Sequence, residues 1–419
     1  MSHARAASTD GTFNPGSLVL PFYLPSGLAF LGTGLAIPLL ALYARHLGVG
    51  NAGAAFIVGL VGLGSLVFNI PAGQLIASFG IRRVIIVSTF AEGFFALGAS
   101  LASSPWFLGL MAFGIGMTQT TFFVARLSYF KAFVPTHHRG KALALIGGGN
   151  RLGNLLGPIA GGFIAQLLGY RYSYLAYAVL MVLSCASLVR WAPRAAQPPR
   201  PEAWTPAQSL AILRSNAGIF ATAGLAIVIL QIMRTARQAL VPLVANSLGL
   251  SVSQVGMVIA LMYFVEILLV YPSGIAMDRW GRKIAAVPCL VFLALGLSML
   301  PLVNGLPMML LAVIVAGIGN GLGSGINMTL STDFAPSINP GRFIGVWRLI
   351  VDLGTMSGPF IVGLVIKSFS LSGAALTVAV IGLAGAGIMG FLAPESHMGN
   401  PASEVPANHG AGGSGGRGT

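Results

Sequence analysis

The chain has 419 residues, 55% of them hydrophobic and 8% charged, with a mean hydropathy of +0.85. No soluble packing offers enough interior to hide that much apolar surface, so the chain belongs in a bilayer. Lys and Arg number 23 against 9 Asp and Glu, an excess that in a soluble protein would point to nucleic acid but that here follows a topological pattern.

Residues 1–16 are polar and read as a cytoplasmic segment; with no small-residue cleavage site before the first apolar run, no cleavable signal is expected. Apolar runs long enough to cross about 30 Å of hydrocarbon then predict twelve helices. They cover 17–44, 52–78, 83–104, 106–133, 141–169, 173–192, 216–246, 252–277, 284–303, 306–334, 342–368 and 371–393. The stretch 193–215 is Pro-rich at first, then offers Thr205 and Pro206 as N-cap and first position of a short surface helix. It divides a six-helix bundle at 17–192 from a second at 216–393, and 394–419 reads as a disordered cytoplasmic tail rich in Gly, Ser and Pro.

Fifteen of the basic residues fall in the termini and in alternate loops, three (Arg45, Arg171, Lys367) in the opposite loops, and five inside predicted spans. This asymmetry places both termini in the cytoplasm and removes the case for nucleic acid. Cys185 and Cys289 lie in apolar stretches and imply neither disulfides nor a metal site. No His/Cys spacing, nucleophile elbow or phosphate loop marks an enzyme.

The two halves repeat each other at a spacing of 201 residues. Gly73 and Gly80 answer Gly274 and Gly281; Phe133 and Pro135 answer Phe334 and Pro336; Gly153, Gly157 and Pro158 answer Gly354, Gly358 and Pro359. A duplicated apolar chain is the mark of a transporter whose halves rock about a central site. The abundant glycines within the spans imply close helix packing.

The second-half loop reads Gly274-Ile-Ala-Met-Asp278-Arg279-Trp-Gly281-Arg282-Lys283, and the fifth span contains Gly153-Asn-Leu-Leu-Gly157-Pro158-Ile-Ala-Gly161-Gly162. These resemble the G-x-x-x-D-R-x-G-R-K loop motif of the major facilitator superfamily and the G-x-x-x-G-P-x-x-G-G motif of its twelve-span drug:proton antiporters. The resemblance implies an all-α membrane fold of two pseudo-symmetric six-helix bundles. It also implies a cytoplasmic latch formed by Gly73, Gly80, Gly274, Asp278, Arg279, Gly281 and Arg282, and a packing motif at Gly153, Gly157, Pro158, Gly161 and Gly162 that seals one conformation. The first-half loop departs from the motif, with Ala77, Ser78 and Ile81 where Asp, Arg and Arg are usual. By pseudo-symmetry Asp278 is expected to face Arg139 and Lys141.

Ionisable residues inside spans are candidates for function, since a charge at mid-bilayer costs about 2.5–3.5 kcal/mol on insertion scales. Arg126 and Arg151 lie 12 and 13 residues either side of His138, both close to the midplane at about 1.5 Å per residue. Gln119, Phe122, Phe123 and Arg126 share one helical face; Gly147, Arg151, Asn154 and Pro158 share another. Their counterparts 201 residues on include Asn320, Asn327, Asp352 and Thr355. The expected substrate contacts are Gln119, Phe123, Arg126, Arg151, Asn154, Gln231, Arg234, Asn320 and Asn327. Glu266 and Asp352 are the leading candidates for proton coupling, with Glu92 behind them because the third span is usually peripheral in the superfamily. Arg348 and Asp352, at i and i+4, form either a functional pair or a mutual neutralisation.

The expected activity is alternating-access movement of a small organic solute across the cytoplasmic membrane, by export in exchange for protons. Uptake of an anionic metabolite, favoured by the Arg excess, and a non-transporting scaffold or sensor are the alternatives. The proton gradient is the expected energy source, with no cofactor and no metal. The expected partners are a small-molecule substrate and the bilayer, with the monomer as the working unit.

Overall fold

The computed structural model describes residues 19–134, 139–193, 206–336 and 340–396. The first six helices are α1 (Val19–His46), α2 (Asn51–Phe79), α3 (Ile81–Ser100), α4 (Pro105–Phe133), α5 (Arg139–Leu167) and α6 (Tyr170–Trp191). A ten-residue helix follows, α7 (Pro206–Ser215), as the Pro at its first position implies. Its expected cap, Thr205, lies outside the described residues, as do 1–16 and most of the tail. The second six are α8 (Ala217–Ser247), α9 (Val252–Trp280), α10 (Lys283–Leu302), α11 (Leu306–Asp333), α12 (Pro340–Ser368) and α13 (Leu371–Leu392). Eleven of these helices are long and apolar enough to cross a membrane. The twelfth, α5, is as long, at 29 residues.

The repeat is visible in backbone geometry. Gly48 and Gly249 take φ of +97° and +74°, and Gly80 and Gly281 take +81° and +97°; each pair is 201 apart and ends a helix where a side chain would be strained. The halves are also closed in the same way. Arg82 donates to the carbonyls of Val189 (2.9 Å) and Ala192 (2.9 Å) at the end of α6. Lys283 donates to that of Gly390 (3.0 Å) at the end of α13. Arg82 and Lys283 are equivalent by the same spacing, as are Val189 and Gly390, so in each half a cation satisfies the last turn's orphan carbonyls.

Gly153, Gly157 and Gly161 face α1, where an added methyl would overlap the backbone of Phe30, Gly34 and Leu35. Pro158 and Gly162 face α9 across the divide, against Gly256, Val252 and Ser253. Their equivalents on α12 do the same work: Gly354 and Gly358 pack on α8, and Gly363 on Ala52 and Phe56 of α2. Two seams, α5–α9 and α2–α12, therefore join the halves where backbones can touch. Both seams are tightest at the face away from the termini, here the far face, since they involve the end of α5 with the start of α9 and the end of α12 with the start of α2. Toward the termini face, Gly73, Gly148, Gly274 and Gly341 have open space where a Cβ would stand.

That last observation corrects the expected role of the loop glycines: Gly73 and Gly274 supply no close packing, whereas Gly80 and Gly281 supply a positive φ. Arg282 donates to Asp333 (2.9 Å) and lies 3.3 Å from Asp278, while Glu395 accepts from the backbone N–H of Arg282 (2.8 Å) and caps α10. The second-half loop is thus tied within its own bundle, through Asp333 and Glu395. The side chains of Arg139 and Lys141, the expected partners of Asp278, lie outside the described residues.

Candidate functional site

Two helices that line the divide are interrupted. In α1 a 3-10 turn spans Ile37–Leu39 around Pro38. In α11 the helix stops at Leu322 and resumes at Ile326, with Gly325 left-handed at φ +85°. A break inside a membrane needs partners for the released backbone groups. Arg234 of α8 supplies one, donating to Gly323 O at 2.9 Å while its other nitrogens reach Asn320 Oδ1 (2.6 Å) and Gln231 Oε1 (3.1 Å). Arg234 is therefore an anchor for the break as well as part of the wall beside it.

Around that break lies a cavity of about 600 Å³ between the halves. Of the residues expected to bind substrate, Gln119, Arg151, Asn154, Gln231, Arg234 and Asn320 line it, together with Glu266. Arg151 donates to Ser324 at 3.1 Å across the divide. Glu266 meets Arg237 at 2.6 Å, an ionic contact rather than a well-aimed hydrogen bond, and Arg237 is 2% exposed. Arg237 is one of the five basic residues inside the predicted spans, and is not among the expected substrate contacts. Tyr263, Gln238 and Asn150 were also missed in the wall; Gln238 and Asn150 carry the signal of polar side chains on otherwise apolar helices.

A second chamber of about 300 Å³ shares Thr33, Ser65, Gln119, Asn150 and Asn154 with the first and extends into the N-terminal half. Phe123, Arg126 and Glu92 line it, with Arg348 from the opposite half. Arg126 is 7% exposed and sits over the rings of Phe30 (4.6 Å), Phe122 (5.4 Å) and Phe123 (5.5 Å). Glu92, expected to be peripheral on α3, is instead 1% exposed and accepts a hydrogen bond from Tyr177, whose hydroxyl accepts in turn from Gln119 (3.3 Å). The reason is that this face of α3 packs on α6, a partner that span counting does not reveal.

One expectation needs correction. Asn327, the counterpart of Arg126, does not line either cavity; it accepts from Trp347 Nε1 at 2.8 Å inside the C-terminal half. The helix is broken just before it, with Gly325 left-handed, so equivalence by spacing does not carry the Arg126 position onto Asn327. Asp352 stands outside both linings. It accepts from Asn69 of α2 on the α2–α12 seam and lies 3.8 Å from Arg348. Arg348 also stacks on Phe123 at 4.6 Å. Among the described residues, the side-chain bridges Asn69–Asp352, Arg151–Ser324 and Arg348–Phe123 thus cross the divide on the termini side of the cavity. Among the described residues no group of three or more His, Cys, Asp or Glu could hold a metal.

The family model described as Major Facilitator Superfamily matches residues 23–236 and 223–411. An MFS-type transporter of Methanocaldococcus jannaschii, MJ1560, is 22% identical over 81% of this chain and 89% of its own length. The MFS-type transporter YfkF of Bacillus subtilis is 30% identical over 45% of this chain and 46% of its own. The multidrug resistance protein MdtG of Enterobacter lignolyticus is 24% identical over 44% of each. The match with these last two thus spans about half of their length. Among solved structures, a POT family transporter in complex with a thioalcohol-conjugated peptide aligns with a TM-score of 0.74 at 12% identity, covering 90% of this chain and 96% of that one. A bacterial homologue of the lysosomal transporter Spinster, inward-facing and unoccupied, aligns at 0.69 and 16% identity, covering 91% and 96%. At these identities the likeness concerns the fold.

Proposed function

Because the chain belongs to the Major Facilitator Superfamily and is a membrane transporter rather than an enzyme, we propose that it exports a small organic solute across the cytoplasmic membrane in exchange for protons. The observation that carries this reading is the Arg237–Glu266 pair in the wall of a cavity between two bundles. Removing one partner of a buried ion pair costs about 3–5 kcal/mol, because the other is left charged and unpaired. Protonating Glu266 would do this to Arg237 without any mutation, and the arrangement of halves that rehydrates Arg237 or offers it a substrate would then be favoured. The likeness to a multidrug resistance protein supports efflux as the direction. With both termini in the cytoplasm, the packed far face reads as a state closed toward the outside.

Inverted membrane vesicles test the exchange. A transported solute added to energised vesicles should release protons from the lumen, and Glu266→Gln should abolish that release. Solute movement that continues in Glu266→Gln with unchanged proton release would sink the assignment. Arg151 in the cavity wall favours the second reading, proton-linked uptake of an anionic metabolite; there the pH change on adding solute has the opposite sign.

A further inference from the structure

The side chamber holds two buried polar atoms that no hydrogen bond among the described residues satisfies. Nη1 of Arg126 and Oε2 of Glu92 are both buried without a hydrogen-bond partner among the described residues, and both residues line the same 300 Å³ space. One offers a proton and a positive charge; the other accepts a proton and carries a negative charge. Leaving such groups unpaired costs about 1–3 kcal/mol each, and more when they are charged, so the chamber is complementary to a head group that both accepts and donates. Charge counting narrows the class. Arg126 offsets Glu92, and Arg348 offsets Asp352, so the guest adds no net charge in its bound form.

The chamber's apolar lining is Ala29, Phe30, Phe122 and Phe123, and Phe30 belongs to a second space as well. On its other flank lies a cleft of about 360 Å³ between α1 and α5, lined by Val19, Tyr23, Gly27, Leu145, Ile146 and Phe30. The two helices touch backbone to backbone at Gly34 and Gly157 but diverge toward the termini face, where Gly27 and Gly148 meet nothing. Val19 and Leu145 are exposed there. Turning Phe30 away from the Arg126 guanidinium would join an apolar cleft open to the membrane with a polar chamber at its end.

We propose that this joined space takes an apolar monocarboxylic acid together with one proton: the carboxyl oxygens accept from Arg126, the proton is shared with Glu92, and the chain lies past Phe30 in the α1–α5 cleft. The assignment rests on the transporter reading but not on its direction. The groups that face Glu92 are Arg126 and Gln119 of α4, Tyr177 of α6 and, across the chamber, Arg348 of α12. No bond is made or broken beyond the proton transfer.

Titration calorimetry on the full chain in phosphatidylcholine nanodiscs, against empty discs, tests it with dodecanoate at pH 8 in buffers of different ionisation enthalpy. Wild type should bind with uptake of about one proton per dodecanoate, since linkage makes proton and ligand binding reciprocal. Glu92→Gln should keep the affinity within a few-fold and take up no proton, because the carboxylate then balances Arg126 directly. Arg126→Gln should weaken binding at least tenfold, and dodecyltrimethylammonium should not compete. Affinity should rise from butyrate to dodecanoate, and Phe30→Trp should flatten that rise. Unchanged dodecanoate affinity in Arg126→Gln, or undiminished proton uptake in Glu92→Gln, overturns the proposal. Should Arg126→Gln fail to fold, the Glu92→Gln arm decides alone. Because this readout is binding, a negative result leaves the proton exchange at Glu266 standing, and failure of that exchange leaves this one standing.

Discussion

Arg234 and Arg151 are both cations beside the α11 break, yet their surroundings assign them different work. Arg234 makes three hydrogen bonds, one of them to the carbonyl of Gly323 that the break releases. Among the described residues Arg151 makes one hydrogen bond, to a serine hydroxyl of the other half. Arg234→Ala should therefore lower the unfolding temperature in lipid nanodiscs, by an amount set by about 1.5–3 kcal/mol for a lost charged hydrogen bond and an orphaned carbonyl. Arg151→Ala should leave that temperature nearly unchanged and instead raise the solute concentration needed for half-maximal flux. For Glu266 the informative comparison is a double-mutant cycle. Glu266→Gln alone should destabilise by about 3–5 kcal/mol by stranding Arg237, and Arg237→Gln in the same background should recover most of it. Additive losses in the two single variants would show that the pair does not act as a unit.

At the scale of elements, the glycine stripes decide how closely helices approach. Gly157 meets the backbone of Gly34 within one half, whereas Gly256 meets that of Pro158 across the divide. A bulky residue at the first site strikes backbone in every conformation, at a cost of about 1–3 kcal/mol or more for overpacking. At the second it strikes only when the far face is closed. Gly157→Val should accordingly depress stability, while Gly256→Leu should fold and shift the protein toward opening at the far face. Thiol labelling of Ser65→Cys in the cavity wall, from each side of the membrane, reads that shift. Much of this was legible beforehand, since spacings of four place Gly153, Gly157 and Gly161 on one stripe, and the ionisable residues Arg151 and Glu266 inside apolar spans both stand in the cavity wall. What could not be read was pairing at a distance. Asn69 and Asp352 are separated by 283 positions, and no local rule joins them. The interruption of α11 was hidden differently: Gly321, Gly323 and Gly325 look like more packing glycines in a chain that has 57. The interruption between Leu322 and Ile326, with Gly325 left-handed, separates Asn327 from the helix that carries Asn320.

For the molecule as a whole, the two ends of the divide are joined differently. Near the far face helices pack closely, with Gly256 on the backbone of Pro158, the Phe56 and Phe360 rings in contact and Gln166 accepting from the backbone N–H of Ser253; on the termini side of the cavity, among the described residues, stand the bridges Asn69–Asp352, Arg151–Ser324 and Arg348–Phe123. Such side-chain bridges are individually weak and can exchange partners, so this is where small changes should tilt the balance of states. Asp352→Asn combined with Asn69→Ala should widen access from the termini face, again by thiol labelling, and lower the coupling ratio of protons to solute. The clasps contributed by Arg82 and Lys283 lie wholly inside their own bundles, each returning the end of a sixth helix to the turn between the second and third. Each bundle is thereby a self-fastened ring that borrows nothing covalent from the other. A gene divided after Pro193, its two products made as independent polypeptides in one cell, should still yield an assembled carrier.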